Sequence, residues 1–372
     1  MGPWSRRARV AALAALADLT AFNAYQVFHS PTRWPDFAFF YSFAWAGLKY
    51  GDARMYDPSI QLAAVHAFFP GAPLLVVVNP PPFAWLLAPL TFIPYPVALW
   101  IWTISMIATL AVAAFLLAPA TRYSRLLFTA SWLGFLPAYL LFVSAPLAPL
   151  VVLSLALAWR FTTDKREVAA GLVLSVGLLK PTLTILVPFA MLAAGHRRLF
   201  LSWTAASVVL VLASAASLGV SGIKSYVSMS ASFAANPYYL RWSLVPYLGD
   251  GFVWAGAVVL IAAATVLIAW RLRRGGPEPV IAVGVMGSVL VNHHMTPGDL
   301  MMLLAPIWLL LRVGGGRLWT GLLGLAWVGG WLALIFPVLA LVVAAATPVA
   351  LLAGGAARPH GALQPRSAEH ET

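Results

Sequence analysis

The chain has 372 residues, 62% of them apolar and only 9% charged, and its mean hydropathy is +0.87. A soluble domain is near half apolar and about a quarter charged. A soluble globular enzyme, a disordered chain and a secreted disulfide scaffold are therefore excluded, and the lack of cysteine removes thiolate chemistry. The net charge of +12 comes from 23 Lys and Arg spread over short segments between apolar runs. That pattern fits anchoring to anionic lipid and the positive-inside bias rather than nucleic-acid binding.

Runs such as 200–220 and 252–270 are unbroken, unlike the alternating ~10-residue segments of a membrane barrel, so the expected class is all-α. A span needs ~20 mostly apolar residues. In chain order the sequence predicts about twelve: 9–28, 78–93, 97–118, 126–143, 146–160, 168–194, 199–219, 252–270, 279–292, 299–312, 317–333 and 335–353. Arg6, Arg7 and Arg9 precede the first run, which continues to Phe28 without a small-x-small cleavage site, so it reads as a span and not a leader. Residues 1–354 form one transmembrane catalytic domain in this reading. The polar tail 355–372 is expected to be disordered.

Alternation from a cytoplasmic N-terminus puts twelve cations inside, among them Arg197, Arg198, Arg271, Arg273, Arg274, Arg312 and Arg317. Ten fall outside: Arg33, Lys49, Arg54, Arg122, Arg125, Arg160, Lys165, Arg166, Lys224 and Arg241. The segments 119–125 and 160–167 strain this scheme, because their basic residues favour the inner side. Two outer segments are long, 29–77 and 220–251. A transporter builds its site at the midplane from paired repeats, whereas polar content concentrated in a large loop points to chemistry at a membrane face.

The eleven acids can be ranked singly. Two, Glu369 and Glu371, lie in the tail. Asp164 and Glu167 share a loop with Lys165 and Arg166 and read as solvated and self-paired. Glu278 lies in a Gly-Gly-Pro-Glu-Pro turn. Asp18 lies mid-span, where a carboxylate is either functional or neutral and hydrogen-bonded to a neighbouring helix. Asp36 stands in Trp-Pro-Asp-Phe-Ala-Phe-Phe-Tyr directly after the first span. The aromatic residues from Phe37 to Trp45 predict a helix in the interface plane, and Asp36 at its start is either a helix cap or a base held at the membrane boundary.

Asp299 closes a second polar cluster, Asn292-His293-His294-Met295-Thr296-Pro297-Gly298-Asp299. Neighbouring His residues point apart on regular backbone and no third ligand is specified by spacing, so no metal site is assigned; phosphate binding by the His pair is the alternative. Lys180-Pro181 interrupts the run 168–194. A lysine at that depth needs an anion or a water-filled cavity, or snorkels to the interface. Arg241 lies in the second outer loop. Cations and a carboxylate at one membrane face suit a lipid phosphate and an acceptor hydroxyl.

Ordered pieces along the chain carry a family resemblance: Pro35-Asp36-Phe37 with Tyr41, Gly51 and Tyr56-Asp57-Pro58, Asn79-Pro80-Pro81-Pro82 with Pro89, Gly171 to Lys180-Pro181 followed by His196-Arg197-Arg198, Asn236 to Ser243, and His293-His294 leading to Asp299-Leu300. Together the sequence resembles glycosyltransferase family eighty-seven, polyprenyl-phosphate-sugar-dependent enzymes of the GT-C superfamily. The resemblance implies a GT-C-like polytopic bundle of about twelve transmembrane helices with a large outer loop. It implies transfer of a hexose such as mannose, with inversion, to a lipid- or glycan-linked acceptor at the periplasmic face of a bacterial inner membrane. No cofactor is implied, the lipid-linked sugar being a substrate.

By the same resemblance Asp36 matches the general base, and Lys180, Arg241, His293, His294, Asp299, Tyr41 and Asn236 are the candidate substrate-binding residues. In one place the chain departs from the family. Ser144-Ala145-Pro146 stands where a Gly-Gln pair followed by a polar residue is common, so the sugar's identity is left open. A lipid-linked sugar flippase and a non-catalytic envelope assembly subunit are the other function classes.

Overall fold

A computed structural model describes residues 17–22, 25, 35–118, 132, 134–143, 145–249, 251–313 and 317–353, and among the described residues all regular structure is helical. The first predicted span is described only at 17–22 and 25, where Asp18 is exposed; 119–125 and the tail 355–372 lie outside the described residues.

Helix α1 (Asp36–Tyr50) starts after Pro35, which is extended at φ −69°, ψ 152°. Its sequence is apolar on every face, which demands burial all round. Phe37, Ala38, Phe39, Tyr41, Phe43, Ala44 and Ala46 are all buried, so α1 is a core helix and not, as expected, one lying on the interface plane. Its covers are α2 (Pro58–Phe68), α3 (Pro81–Leu87) and the 3₁₀ turn Ala88–Phe92. Asp57 caps α2 by accepting from Ser59 N at 2.8 Å, with Pro58 in the first turn. Gln61, 2% exposed, ties the extended stretch before α3 in place, donating to Val77 O (3.0 Å) while its Oε1 accepts from Val77 N (3.1 Å).

The predicted span 78–93 is not one long helix. Residues before proline avoid the α region, so the Asn79–Pro82 run stays extended until Pro81 and Pro82 fall in the tolerated first turn of the seven-residue α3. The chain then crosses as α4 (Tyr95–Leu117), followed by α5 (Leu136–Val143) and α6 (Ala148–Thr163).

The run 168–194 is also not a single span. It is α7 (Glu167–Leu174), the 3₁₀ turns Ser175–Leu179 and Pro181–Leu183, and α8 (Val187–Ala193). Its two feet meet, with His196 Nδ1 2.8 Å from Glu167 Oε1. The chain enters, breaks at Lys180-Pro181 and returns to the side it left. Proline removes a helical donor and clashes with the preceding turn, and such broken backbone is tolerated at membrane depth when it is buried in protein. The segments around 160–167 and 195–198 therefore share one end of the bundle, which corrects the alternation that set them on opposite faces.

After α9 (Arg197–Ala234) come two single turns, α10 (Pro237–Leu240) and α11 (Val245–Leu248), then α12 (Phe252–Leu272) and α13 (Pro277–Val291). The 3₁₀ segment Pro297–Leu303 leads into α14 (Leu304–Val313), α15 (Arg317–Leu332) and α16 (Val338–Ala353). Within α9 the backbone breaks at Gly219, φ 60°, ψ −176°. Only glycine adopts that conformation cheaply, so the apolar run ends there and the second outer segment begins as a helix in a new direction. Among the described residues three helical stretches, Tyr95–Leu117, Arg197–Ala234 and Phe252–Gly275, are long and apolar enough to cross a membrane, and several shorter apolar helices accompany them. The described residues are those of a helical membrane protein, and the expected count of twelve spans is not confirmed.

Helix α13 is the centre, buried continuously from Pro279 to Val289. Helices in lipid associate by close packing rather than by hydrophobic expulsion. A Cβ on Gly284 would stand 2.8 Å from Val187 Cα, so the missing side chain is what lets α8 lie against α13.

Side-chain bonds close both ends of the bundle. At one end Arg312 Nη1 donates to Leu117 O (2.9 Å) and Ala118 O (2.6 Å), Trp159 Nε1 donates to Glu278 Oε1 (2.9 Å), and Glu167 meets His196. At the other, Tyr56 Oη donates to Asn79 O (2.5 Å), Asn79 Nδ2 donates to Leu179 O (3.1 Å), and Met295 N donates to Tyr239 O (3.1 Å). With this grouping nine described cations, Arg160, Lys165, Arg166, Arg197, Arg198, Arg271, Arg273, Arg274 and Arg312, share the first end; Lys49, Arg54, Lys180, Lys224 and Arg241 belong to the second. The asymmetry is steeper than alternation alone suggested. Cysteines placed at the exposed Ser59 and Ser221 of this cysteine-free chain should label from one side of the membrane, and a cysteine at Thr163 from the other. Labelling of Thr163 together with Ser59 would break the re-entrant arrangement.

Candidate active site

The second end brings together four segments that lie far apart in the chain. Asp36 stands at the first position of α1, where the helix dipole favours the ionised carboxylate. The helix behind it cannot shift. Phe37 stacks on Tyr95 (6.0 Å) and Trp102 (5.8 Å), and Tyr41 donates its hydroxyl to Ile93 O at 2.9 Å. Tyr41 is thus bound into the aromatic core, edge-on to Phe68 and Tyr95. It fixes the helix that carries Asp36, and the structure sets it apart from the polar cluster.

Tyr239, on α10, faces the Asp36 charge. Its phenol is pushed up to about 12, first by burial, then by the negative charge of Asp36 and by Tyr238. It therefore stays protonated and can donate a hydrogen bond. Tyr239 stacks on Phe233 (4.4 Å), and Phe233 meets the edge of His294 at 4.9 Å. His293 turns the other way, edge-on to Trp254 at 4.9 Å. The two imidazoles point apart as adjacent residues should. Burial lowers His294 to about 4, with the Lys180 charge adding to the effect and Asp299 opposing it. His294 is accordingly neutral near pH 7, and its buried Nδ1 has no hydrogen-bond partner, like Nδ2 of the buried Asn292.

Lys180, at the tip of the re-entrant hairpin, has its anion within the protein. Its Nζ lies 2.6 Å from Asp299 Oδ1 and 3.4 Å from Thr296 Oγ1. The Lys180 side chain keeps 22% of its surface exposed and Asp299 only 2%. Asp299 Oδ2 accepts from Thr296 N at 2.7 Å, closing a capping box at the start of the Pro297–Leu303 turn. Both Asp299 oxygens are engaged, which leaves it little to offer a substrate directly: it anchors Lys180. Arg241 is exposed and lies over the Tyr238 ring at 5.2 Å. Asn236 is the cap of α10, accepting from Tyr238 N at 3.0 Å, so its evident task is to turn the chain that presents Tyr239.

Of the departure at 144–146, Ser144 lies outside the described residues, and Ala145 and Pro146 pack against this cluster and its neighbours. A Cβ on Gly298 would stand 2.8 Å from Pro146 Cβ, and Ala145 O accepts from Trp102 Nε1 at 2.8 Å. Pro146 thus packs as an apolar wedge against the Thr296–Asp299 turn.

Sequence reading passed over Tyr239, Phe233 and Thr296. The signal for Tyr239 was present, an aromatic pair straight after the helix-starting Asn236-Pro237 in an outer loop. Phe233 and Thr296 carried none of their own, because the contacts that tie them to the cluster, Phe233 to His294 and Thr296 to Lys180, reach across more than fifty residues.

One end of this helical membrane bundle thus gathers a carboxylate, a paired lysine, a neutral histidine and a protonated tyrosine, groups able to move a proton and to hold an anion. The model of glycosyltransferase family 87 matches residues 78–297, more than half of the chain, and the protein belongs to that family. The matched stretch contains Lys180, Asn236, Arg241, His293 and His294; Asp36, Tyr41 and Asp299 lie outside it. No curated protein and no solved structure matches the chain.

Proposed function

We propose that the protein transfers a hexose, such as mannose, from a polyprenyl-phosphate donor to a lipid- or glycan-linked acceptor, inverting the anomeric centre. The observation that carries the reading is the gathering at one end of the bundle of Asp36, within electrostatic reach of Tyr239, with the Lys180–Asp299 pair and His294. Asp36 accepts the acceptor hydroxyl's proton as that oxygen attacks the anomeric carbon. The bond from the anomeric carbon to the phosphate oxygen breaks on the opposite face, and its electrons leave with the lipid phosphate.

Charge then develops on the phosphate, and preorganised donors aimed at it lower the barrier. Lys180 has a proton-bearing ammonium only partly used by Asp299 and Thr296, neutral His294 supplies a ring N–H, and exposed Arg241 receives the phosphate at the rim. Asp299 holds Lys180 in position. The excess of cations at the far end supports a cytoplasmic placement for that end, and so an outward-facing site in a bacterial inner membrane.

A flippase would need polar groups along a path through the bilayer. Lys180 instead pairs at the same end as Asp36, which favours the enzyme. Purified protein in bilayer nanodiscs should turn over at least one member of a panel of radiolabelled polyprenyl-phosphate hexoses, and nucleotide sugars should give none. Turnover of a nucleotide sugar alone would overturn the donor class.

A further inference from the structure

At the end of the bundle opposite Asp36, Lys165, Arg166, Arg197 and Arg198 line a cavity of about 770 Å³. The neighbouring acids are already taken: Glu167 Oε1 lies 2.8 Å from His196 Nδ1, and Asp164 Oδ2 2.9 Å from Arg160 Nε. Four cations thus face one cavity whose single acid is engaged elsewhere. Arg166 is held over the Phe161 ring at 5.0 Å. The 38-residue helix Arg197–Ala234 begins at the cavity, and His196 gives it no side-chain cap, so its positive end adds to the field.

Below the cations the lining turns apolar. Val168 and Leu172 of the lining are 54% and 50% exposed. A cationic rim over exposed aliphatic side chains, at the end of helices that cross the bilayer, complements a molecule with an anionic head and a hydrocarbon tail. The two feet of the re-entrant hairpin, 165–172 and 195–198, supply the whole lining. Without an anion between them their like charges repel.

We infer that this cavity binds the phosphate headgroup of an anionic phospholipid, with an acyl chain lying along Val168 and Leu172. The phosphate bridges the two feet and holds closed the hairpin whose tip carries Lys180. The inference concerns binding and does not rest on the transferase reading.

The test is native mass spectrometry and thermal unfolding of the purified full chain with phosphatidylglycerol, with phosphatidylcholine and with inorganic phosphate. Phosphatidylglycerol should bind at least tenfold more tightly than phosphatidylcholine and raise the unfolding temperature, while millimolar inorganic phosphate should not displace it. The pair Arg197→Gln/Arg198→Gln should weaken phosphatidylglycerol binding about fivefold for each cation removed. Lys165→Gln/Arg166→Gln, a second pair on the other foot, should do the same should the first fold poorly. Arg271→Gln/Arg274→Gln, cations of the same end outside the cavity, should leave it unchanged. Equal binding of the two lipids, or equal loss in the control pair, would overturn the site. Full displacement by inorganic phosphate would make it a free-anion site and overturn the lipid assignment.

Discussion

Asp36→Asn should insert and fold as the parent does and lose about 10²–10⁴ in turnover, the range for removing a general base. The asparagine keeps the shape of the carboxylate at the start of α1 but cannot take the acceptor's proton. Structural loss should be small. The favourable interaction of a carboxylate with the first turn is worth about 0.3–1 kcal/mol, and the stacking of Phe37 on Tyr95 and Trp102 is untouched. Asp52→Asn is the control. Asp52, past the C-terminal end of the helix that Asp36 starts, accepts from Trp85 Nε1 through Oδ2 at 2.9 Å, and the loss of that bond should cost turnover little. Initial rates on a polyprenyl-phosphate hexose, with donor binding measured separately, decide the matter. An Asp36→Asn protein retaining more than a tenth of parental turnover would remove Asp36 from the role of base.

Lys180 and Asp299 should behave as a pair in stability and as individuals in catalysis. Removing one partner of a buried ion pair leaves an uncompensated charge and costs about 3–5 kcal/mol. Lys180→Met strands Asp299, whose side chain is only 2% exposed, so it should unfold at a markedly lower temperature. The double variant Lys180→Met/Asp299→Leu replaces both charges with apolar groups and should recover much of that stability, since such replacements are often neutral. Turnover should not recover, because the phosphate would have lost its ammonium. A double variant that is both stable and fully active would reduce Lys180 to a structural tie and take it out of the site. The comparison works only because the structure shows where the lysine's anion is. A lysine in an apolar run predicts the need for an anion but not that Asp299, 119 residues later, supplies it.

Much of the architecture was legible in the chain. The ends of α4, α6, α12, α13, α15 and α16 fall within three residues or so of the predicted spans, because an unbroken apolar run in lipid has to satisfy its own backbone, and only a helix does so. The failures cluster at proline. Length and hydropathy made 78–93 and 168–194 spans, yet Asn79–Pro82 and Lys180-Pro181 break both. Hydropathy adds up side chains and does not register that a helix has lost its donors. The error at 168–194 propagated, placing Lys165 and Arg166 opposite Arg197 and Arg198 when the four line one cavity.

The site residues divide in the same way. Local signals singled out Asp36, Lys180, His294 and Arg241, which the structure gathers at one end of the bundle, since each is a polar group in an apolar or interfacial setting, costly enough to require a reason. They also suggested Tyr41 and Asn236, whose hydroxyl and amide prove to be spent on Ile93 O and on capping α10. No local pattern distinguishes a tyrosine that packs from one that faces a charge, and Tyr239 was missed for that reason.

By itself the sequence determined that the protein is a helical membrane protein and to which family it belongs. Those conclusions follow from composition and from motifs short enough to be read along the chain, because solvation by lipid acts on each segment separately. The tertiary structure alone decided that the hairpin re-enters, that Asp299 holds Lys180, that Tyr239 faces Asp36, and that α1 is buried and not interfacial. Each depends on packing between segments from about 20 to 200 residues apart, where glycine at 284 and proline at 146 and 181 set how closely backbones approach.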